Sequence, residues 1–246
     1  MDLKNKVVII TGASGRIGKA MAMKFAGARA SVVLCDRSED KLKKLKDRIE
    51  SDGGKAMVVK TDVTRLADFE KVISKTLTEY GSIDVLINNA GLMPPSLVEK
   101  IKIDKWEKML EVNIKGVLNG AAAVMPTMCK NNSGHIINVS SSASQNYFPG
   151  RSVHCATKAS VKMFSEGLRK KVASEYGINV TCIEPGTLDK GLFDSIADDD
   201  IPSKQKQMKE LTKLEAEDIS NSILYALNQP DRVNIKEVYS MQAKQG

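Results

Sequence analysis

Three glycines, Gly12, Gly15 and Gly18, stand in a turn that follows an aliphatic run, and Asp36 comes eighteen residues after the last of them. Those residue types at those spacings suit phosphate and ribose chemistry. Glycine lets backbone approach an anion closely, and a carboxylate at the tip of a second strand accepts hydrogen bonds from a ribose diol. Gly12 and Gly15 are expected to adopt conformations denied to other residues, and Gly18 to let a helix sit close on the sheet. That helix would aim its free N–H groups and positive dipole end at an anion over the turn. A glycine-rich turn alone is only a turn; strand, helix and acid together predict dinucleotide binding.

The elements that must position these residues are legible as hydrophobic patterns. Val7 to Thr11 reads as a strand, Ile17, Met21 and Phe25 recur at helical spacing, and Ser31 to Cys35 forms a second strand. Asp40 to Glu50 is predicted as an amphipathic helix with Leu42, Leu45 and Ile49 inward, stopped by Gly53 and Gly54. Met57 to Lys60 is a third strand, followed by Thr61, Asp62 and Val63. Arg65 to Tyr80 is a helix ended by Gly81, and Val85 to Ile87 is a strand running into Asn88, Asn89, Ala90 and Gly91. A long helix, Trp106 to Met128, carries Asn113, and Ile136 to Val139 feeds the serine run Ser140 to Ser142. Ser152 to Tyr176 is helical with Gly177 after it, Ile178 to Ile183 is a strand ending at Pro185 and Gly186, and Glu215 to Leu227 and Val233 to Tyr239 are a last helix and strand. The alternation predicts one α/β domain over residues 1–246, a doubly wound parallel sheet of about seven strands with helices on both faces. Residues 187–211 have no clean period, hold the acidic cluster Asp198 to Asp200, and follow a strand's C-terminal end, where such sheets bind ligands; they are expected to form a substrate lid.

Composition narrows the class. A chain of 246 residues, 42% hydrophobic, buries one sizeable core without disulfides or metal. Cys35, Cys129, Cys155 and Cys182 lack paired spacing and are expected to be reduced, which points to a cytoplasmic protein. His135 and His154 are the only histidines, so no metal site is expected. The first strand begins too near Met1 for a signal peptide, and no apolar run is long enough to span a bilayer, so no membrane partner is expected. The formal charge is +7 and the pI about 9.1, but the lysines lie on helix faces among acids and only 4% of residues are aromatic. Nucleic acid is therefore not expected as a partner.

Four motifs together resemble the short-chain dehydrogenase/reductase family: the turn Thr11 to Gly18, Asp62-Val63, Asn88-Asn89-Ala90-Gly91, and Pro185-Gly186. The likeness runs from Lys6 to Val238 and implies a Rossmann-type fold. The stretch Ala226 to Val238 also looks like the branch with broad-specificity 3-hydroxy acid dehydrogenases. By that resemblance Asp62 contacts an adenine ring, Val63 backs it, and Asn89, Ala90 and Gly91 support the cofactor's bed. Ser14, Arg16 and Ile17 join the glycines at the turn, and Lys158, Pro185, Gly186 and Leu188 meet the far end of the cofactor. Asp36 would repel a 2′-phosphate and favours NAD, while Arg37 and Arg16 leave NADP open.

The family's chemistry uses a serine, a tyrosine thirteen residues later, a lysine four beyond that, and an asparagine on the preceding long helix. The corresponding positions here are Ser141, His154, Lys158 and Asn113. The resemblance thus implies that Ser141 polarises the substrate oxygen, His154 replaces tyrosine as acid/base, Lys158 binds the nicotinamide ribose and tunes His154, and Asn113 orders a relay water. Imidazole titrates near neutrality, and Lys158 beside it favours the neutral, basic form; its shorter reach requires a bridging water or a differently seated substrate. Tyr147 has the wrong spacing to replace the tyrosine. Arg16 stands where the family has a glycine, and Lys190 where it has a threonine against the nicotinamide amide. The expected activity is an NAD(P)-dependent oxidoreductase acting on a small alcohol or ketone, hydroxy acids included. The alternative is a redox-inactive homologue: an isomerase, lyase or cyclase, or a nucleotide-binding pseudoenzyme. The two long helices carry apolar residues on more than one face, and in this family they pair subunits into a homodimer or homotetramer.

Overall fold

Every residue of the first strand, β1 (Val7–Thr11), is buried, as expected of a strand covered on both faces by helices. The computed structural model describes residues 3–94, 101–148, 150–188, 213–230 and 232–243. After β1 the chain alternates through α1 (Arg16–Gly27), β2 (Ser31–Asp36), α2 (Glu39–Ser51), β3 (Lys55–Lys60), α3 (Leu66–Tyr80) and β4 (Val85–Asn88). It continues with α4 (Ile103–Leu110), a π-helical stretch (Glu111–Lys115), α5 (Gly116–Asn131), β5 (Gly134–Val139), a 3-10 turn (Ser142–Ser144), α6 (Ser152–Tyr176), β6 (Ile178–Pro185), α7 (Ala216–Leu227) and β7 (Glu237–Ser240).

The seven strands form one parallel sheet in the order β3-β2-β1-β4-β5-β6-β7. The order reverses between β1 and β4, and the crevice beyond the strand ends at such a reversal is where open sheets bind ligands. Register brings the strand ends into one row: Thr11 lies beside Cys35, Asn88 beside Asn138, and Val139 beside Ile183. Alternate side chains feed two cores. Val8, Ile10, Val32 and Leu34 pack with Phe25, Leu42 and Ile223 on one face. On the other, Ile9, Val33 and Leu86 pack with Val72, Val124 and Val172.

The expected doubly wound sheet is thus present, and most differences are at element ends. The long helix around Asn113 starts at Ile103 and runs to Asn131, with a π-helical widening at 111–115 that apolar spacing does not reveal. The sixth strand continues to Pro185, because β7 pairs beyond Ile183, with Glu184 against Tyr239 and Pro185 against Ser240. The last strand is shorter than predicted, starting at Glu237. Gly81 and Gly177 end their helices in the left-handed region, with φ of 76° and 62°. Of the expected lid, Thr187 and Leu188 are described and the rest, with Lys190, lies outside the described residues. Leu188 forms an isolated parallel bridge with Leu214, and the Leu214 amide donates to the Thr187 carbonyl at 3.1 Å.

Candidate active site

The turn after β1 is fastened to the end of β4 by one hydroxyl. Thr11 Oγ1 donates to the Ile87 carbonyl at 3.2 Å and accepts the amides of Asn89 and Ala90 at 3.0 and 3.1 Å. Asn89 Nδ2 returns the favour to the Thr11 carbonyl at 2.9 Å. The sequence reading makes Thr11 the end of a strand and the start of the turn motif, without a role for its hydroxyl. Gly12 sits at φ +64°, and a Cβ there would lie 2.9 Å from Ala90 Cα, so both conformation and space demand glycine. Gly15 corrects the sequence expectation: its φ is −74°, open to any residue, and it is the helix N-cap. Its missing side chain matters for room, since a Cβ would approach the Gly12 carbonyl oxygen at 3.2 Å. A Cβ on Gly18 would meet Ala13 Cα at 2.7 Å, as the expected close packing requires.

Helix α1 opens toward this turn with no side-chain cap and no acid in its first turn. Its backbone N–H groups are available to an anion. Arg16 is the first helical residue and is exposed on the cleft wall, where ordinary helical φ makes glycine unnecessary. Asp36 ends β2 half-buried, with Oδ1 accepting the Ser38 amide at 3.2 Å. Asp62 Oδ1 accepts the amide and hydroxyl of Thr64 at 3.0 and 2.8 Å. Burial opposes ionisation of Asp62, but those bonds and the charges of Arg37 and Arg65 hold its carboxyl below the usual value. Val63 covers Gly116, where a Cβ would come within 2.8 Å of its Cγ2.

These residues enclose a cleft of about 420 Å³. Gly12, Ser14, Gly15, Arg16, Ile17, Asp36, Arg37, Asp62, Val63, Asn89, Ala90, Gly91 and Leu188 all line it, with Thr61, Leu92 and Val112 added by the fold. Gly18 lies beneath the turn rather than on the wall. A second cavity of about 130 Å³ continues from the first, sharing Ile17, Asn89, Gly91, Leu92 and Leu188. Ser141, His154, Lys158, Pro185 and Gly186 line this second cavity. Distant segments thus converge on one elongated site with a glycine-turn end and a serine–histidine–lysine end.

At the second end, Ser141 stands before the 3-10 turn and its Oγ accepts the Ala143 amide at 3.2 Å. Lys158 is buried, with Nζ donating to the Val139 carbonyl at 2.9 Å, and burial brings its ammonium down to about 8, opposed weakly by Cys182. His154 is only 5% exposed, and its Nδ1 has no hydrogen-bond partner. Burial first, then the positive charges of Lys158 and Arg151, push the imidazole down to about 3, against a hydrogen bond with the Leu92 backbone. The sequence foresaw a neutral ring but placed its titration near neutrality; desolvation moves it far below. At neutral pH His154 is therefore an uncharged imidazole, with one ring nitrogen carrying hydrogen and the other able to accept a hydrogen bond.

Asn113 stands on the long helix where expected, with its side-chain amide engaged by the Leu92 backbone and Thr157. It is 1% exposed and does not line either cavity; Oδ1 accepts the Leu92 amide, and Nδ2 donates to the Leu92 carbonyl and Thr157 Oγ1, at 2.9, 2.9 and 3.1 Å. Its side chain therefore fixes the cavity wall. Tyr147 is 68% exposed and off both cavities. Phe148 and Arg151, which the sequence reading passed over, line the second cavity. The available signal was Arg151 at the N-cap of α6, a position that normally takes a small polar residue. Among the described residues no group of acids, cysteines and histidines is placed to hold a metal, and no helix is long and apolar enough to cross a membrane.

A family model described as short chain dehydrogenase matches residues 6–200. An uncharacterized oxidoreductase of Listeria monocytogenes is 40% identical over 238 residues, 96% of either chain. Among solved structures, the closed form of a serine dehydrogenase complexed with NADP+ superposes with a TM-score of 0.89 at 31% identity, covering 98% of this chain and 96% of that one. A gluconate 5-dehydrogenase from Burkholderia cenocepacia, in complex with NADP and tartrate, gives a TM-score of 0.86 at 28% identity, covering 97% and 94%.

Proposed function

The chain belongs to the short-chain dehydrogenase family, and from that premise we propose that it is a nicotinamide-dinucleotide-dependent oxidoreductase acting on a small alcohol or ketone. The observation that carries this reading is the continuity of the two cavities: a glycine turn and helix N-terminus at one end, Ser141 and Lys158 at the other. The residues present fit the cofactor. Gly12 and Gly15 leave backbone room, α1 offers uncapped N–H groups to the pyrophosphate, and Asp36 and Asp62 stand where an adenosine needs acceptors. Arg37 and Arg16 beside Asp36 supply the charge a 2′-phosphate needs, and the two matched dehydrogenase structures hold NADP. These observations favour NADP(H), against the preference for NAD that Asp36 alone suggested.

When bound, the nicotinamide supplies or accepts the hydride. The chain's own residues do the rest. The Ser141 hydroxyl donates to the substrate oxygen. The Lys158 ammonium, brought near neutrality by burial, stabilises charge on that oxygen and exchanges the proton. His154, held neutral, accepts a hydrogen bond from the substrate or a water, a role narrower than the acid/base function its position implies. Asn113 holds Leu92 so that the wall between the two cavities keeps its shape.

The low proton affinity of His154 also favours a second reading, a relative that binds the dinucleotide but is redox-inactive. Fluorescence titration with NADPH and NADH, followed by turnover on aldehydes, ketones and hydroxy acids, separates the two. Binding with turnover supports the oxidoreductase; binding without turnover supports the second reading. Absence of any binding removes both.

A further inference from the structure

A cluster of four side chains stands one step back from the second cavity, each from a different element. Gln145 caps the C-terminal end of the 3-10 turn, Lys162 lies on α6, Glu184 on β6 and Glu237 on β7. Glu184 is fully buried, and its carboxylate meets Lys162 Nζ at 3.1 Å and accepts the Gln145 side-chain amide. Lys162 also reaches Glu237 at 2.9 Å, and the same Gln145 nitrogen donates to Glu237 Oε1 at 3.0 Å. Two donor groups thus serve two carboxylates, and one amide nitrogen spends both its hydrogens on them. Burial opposes the Lys162 ammonium, but its bonds to Glu237 and Glu184 outweigh that and hold it above its ordinary value. None of the four side chains lines either cavity.

Each anchoring element also carries part of that cavity's wall. Gln145 closes the turn that starts at Ser141, whose Oγ accepts the Ala143 amide. Lys162 stands one helical turn after Lys158, on the same face of α6. Glu184 immediately precedes Pro185 and Gly186, which line the cavity. Apolar residues of similar volume often hold elements together as well as a buried ion pair does, so what the charged groups add here is direction. We infer that Gln145 is a positioning residue: it latches the Ser141 turn onto the Glu184–Lys162 pair and so keeps Ser141 in place relative to Lys158. Asn146 adds a neutral contact beside it, donating to the Tyr239 hydroxyl at 2.9 Å, and Tyr239 is the cross-strand neighbour of Glu184. The catalytic consequence rests on the oxidoreductase reading, while the latch stands on its own geometry.

Gln145 is exposed, so replacing it leaves the core intact. The wild type is compared with Gln145→Leu, which removes the donor at similar size, and with Gln145→Lys, which restores a donor to the two carboxylates. In the first arm, amide hydrogen exchange of residues 141–148 is followed by mass spectrometry, with the melting temperature as a control. Exchange there is expected to quicken in Gln145→Leu and to return toward wild type in Gln145→Lys. Unchanged exchange in Gln145→Leu overturns the latch, whatever turnover does. In the second arm, methyl acetoacetate is reduced with NADPH. For Gln145→Leu, kcat is expected to fall about tenfold to a hundredfold, the loss that follows when a reacting group is displaced by up to about 1 Å, with KM unchanged. Gln145→Lys is expected to recover most of that loss. An undiminished kcat, a rise in KM alone, or no recovery in Gln145→Lys overturns the positioning role. Quickened exchange in Gln145→Leu, with no turnover of any carbonyl by the wild type, sustains the latch and rejects the oxidoreductase reading instead.

Discussion

Thr11 and Asn89 hold each other reciprocally: the threonine hydroxyl accepts the asparagine amide at 3.0 Å, and the asparagine side chain donates to the threonine carbonyl at 2.9 Å. This pair ties the glycine turn to the strand that leads into the second cavity. Thr11→Val keeps the shape and removes the acceptor, leaving the amides of Asn89 and Ala90 without it. A loss of about 1–3 kcal/mol in urea unfolding is expected, with weaker NADPH binding by fluorescence. An unchanged unfolding midpoint would show that the turn is held by other contacts.

Glu184, fully buried, pairs with Lys162 at 3.1 Å, and Lys162 also reaches Glu237 at 2.9 Å. Lys162→Met removes the buried carboxylate's cation, leaving it the Gln145 side-chain amide as a neutral donor, while keeping the stem's packing. The lysine is partly exposed, so the expected loss is toward the lower end for buried pairs, about 3 kcal/mol. Adding Glu184→Gln should restore part of the melting temperature. Full retention of stability by the single variant would contradict the pairing.

Burial lowers His135 to about 4 and His154 to about 3. Both refuse protons that the unfolded chain accepts near its ordinary value of 6.5. Their contribution is therefore present above pH 6.5 and is lost as pH falls toward 4. Urea midpoints at pH 7.5, 6 and 5 should decline in order, and His154→Gln should shallow the slope. A flat profile would show that both rings are solvated.

The ammonium of Lys158 is present below about pH 8 and lost above it. Carbonyl reduction should accordingly fall as pH rises through 8, while alcohol oxidation rises. Lys158→Met is expected to lower kcat by at least about a hundredfold, the contribution of a positioned proton donor. His154→Tyr is expected to raise dehydrogenase activity, since it restores a hydroxyl that reaches farther. A pH profile unaffected between 6 and 9 would remove the lysine from proton handling.

Leu118 on α5 and Met163 on α6 are 42% and 72% exposed. A homodimer or homotetramer joined through these helices would cover them. Light scattering at micromolar concentration should give at least a dimer mass, and Met163→Lys should lower it. A monomer in the wild type would refute this assembly.

What the sequence made legible was local. Strand runs, the glycines ending α3 and α6, and the acid at the tip of β2 act through backbone conformation and nearest neighbours, so their spacing carries the information. The chemistry of the second cavity was less legible because it is tertiary. Nothing in the spacing of His154 says that its ring would be 95% buried beside two cations. Asn113 occupies the expected position, yet its amide is consumed by Leu92, a residue twenty-one positions away. Gly15 misled for the opposite reason: its type implied a left-handed backbone, whereas the fold uses only its small volume.

The bridge between Leu188 and Leu214 fixes two points of the chain side by side at the rim of the site. Leu188 follows β6 and lines both cavities, and Leu214 precedes α7, so this one pairing ties the approach to α7 to the wall of the site, outside the seven-stranded register.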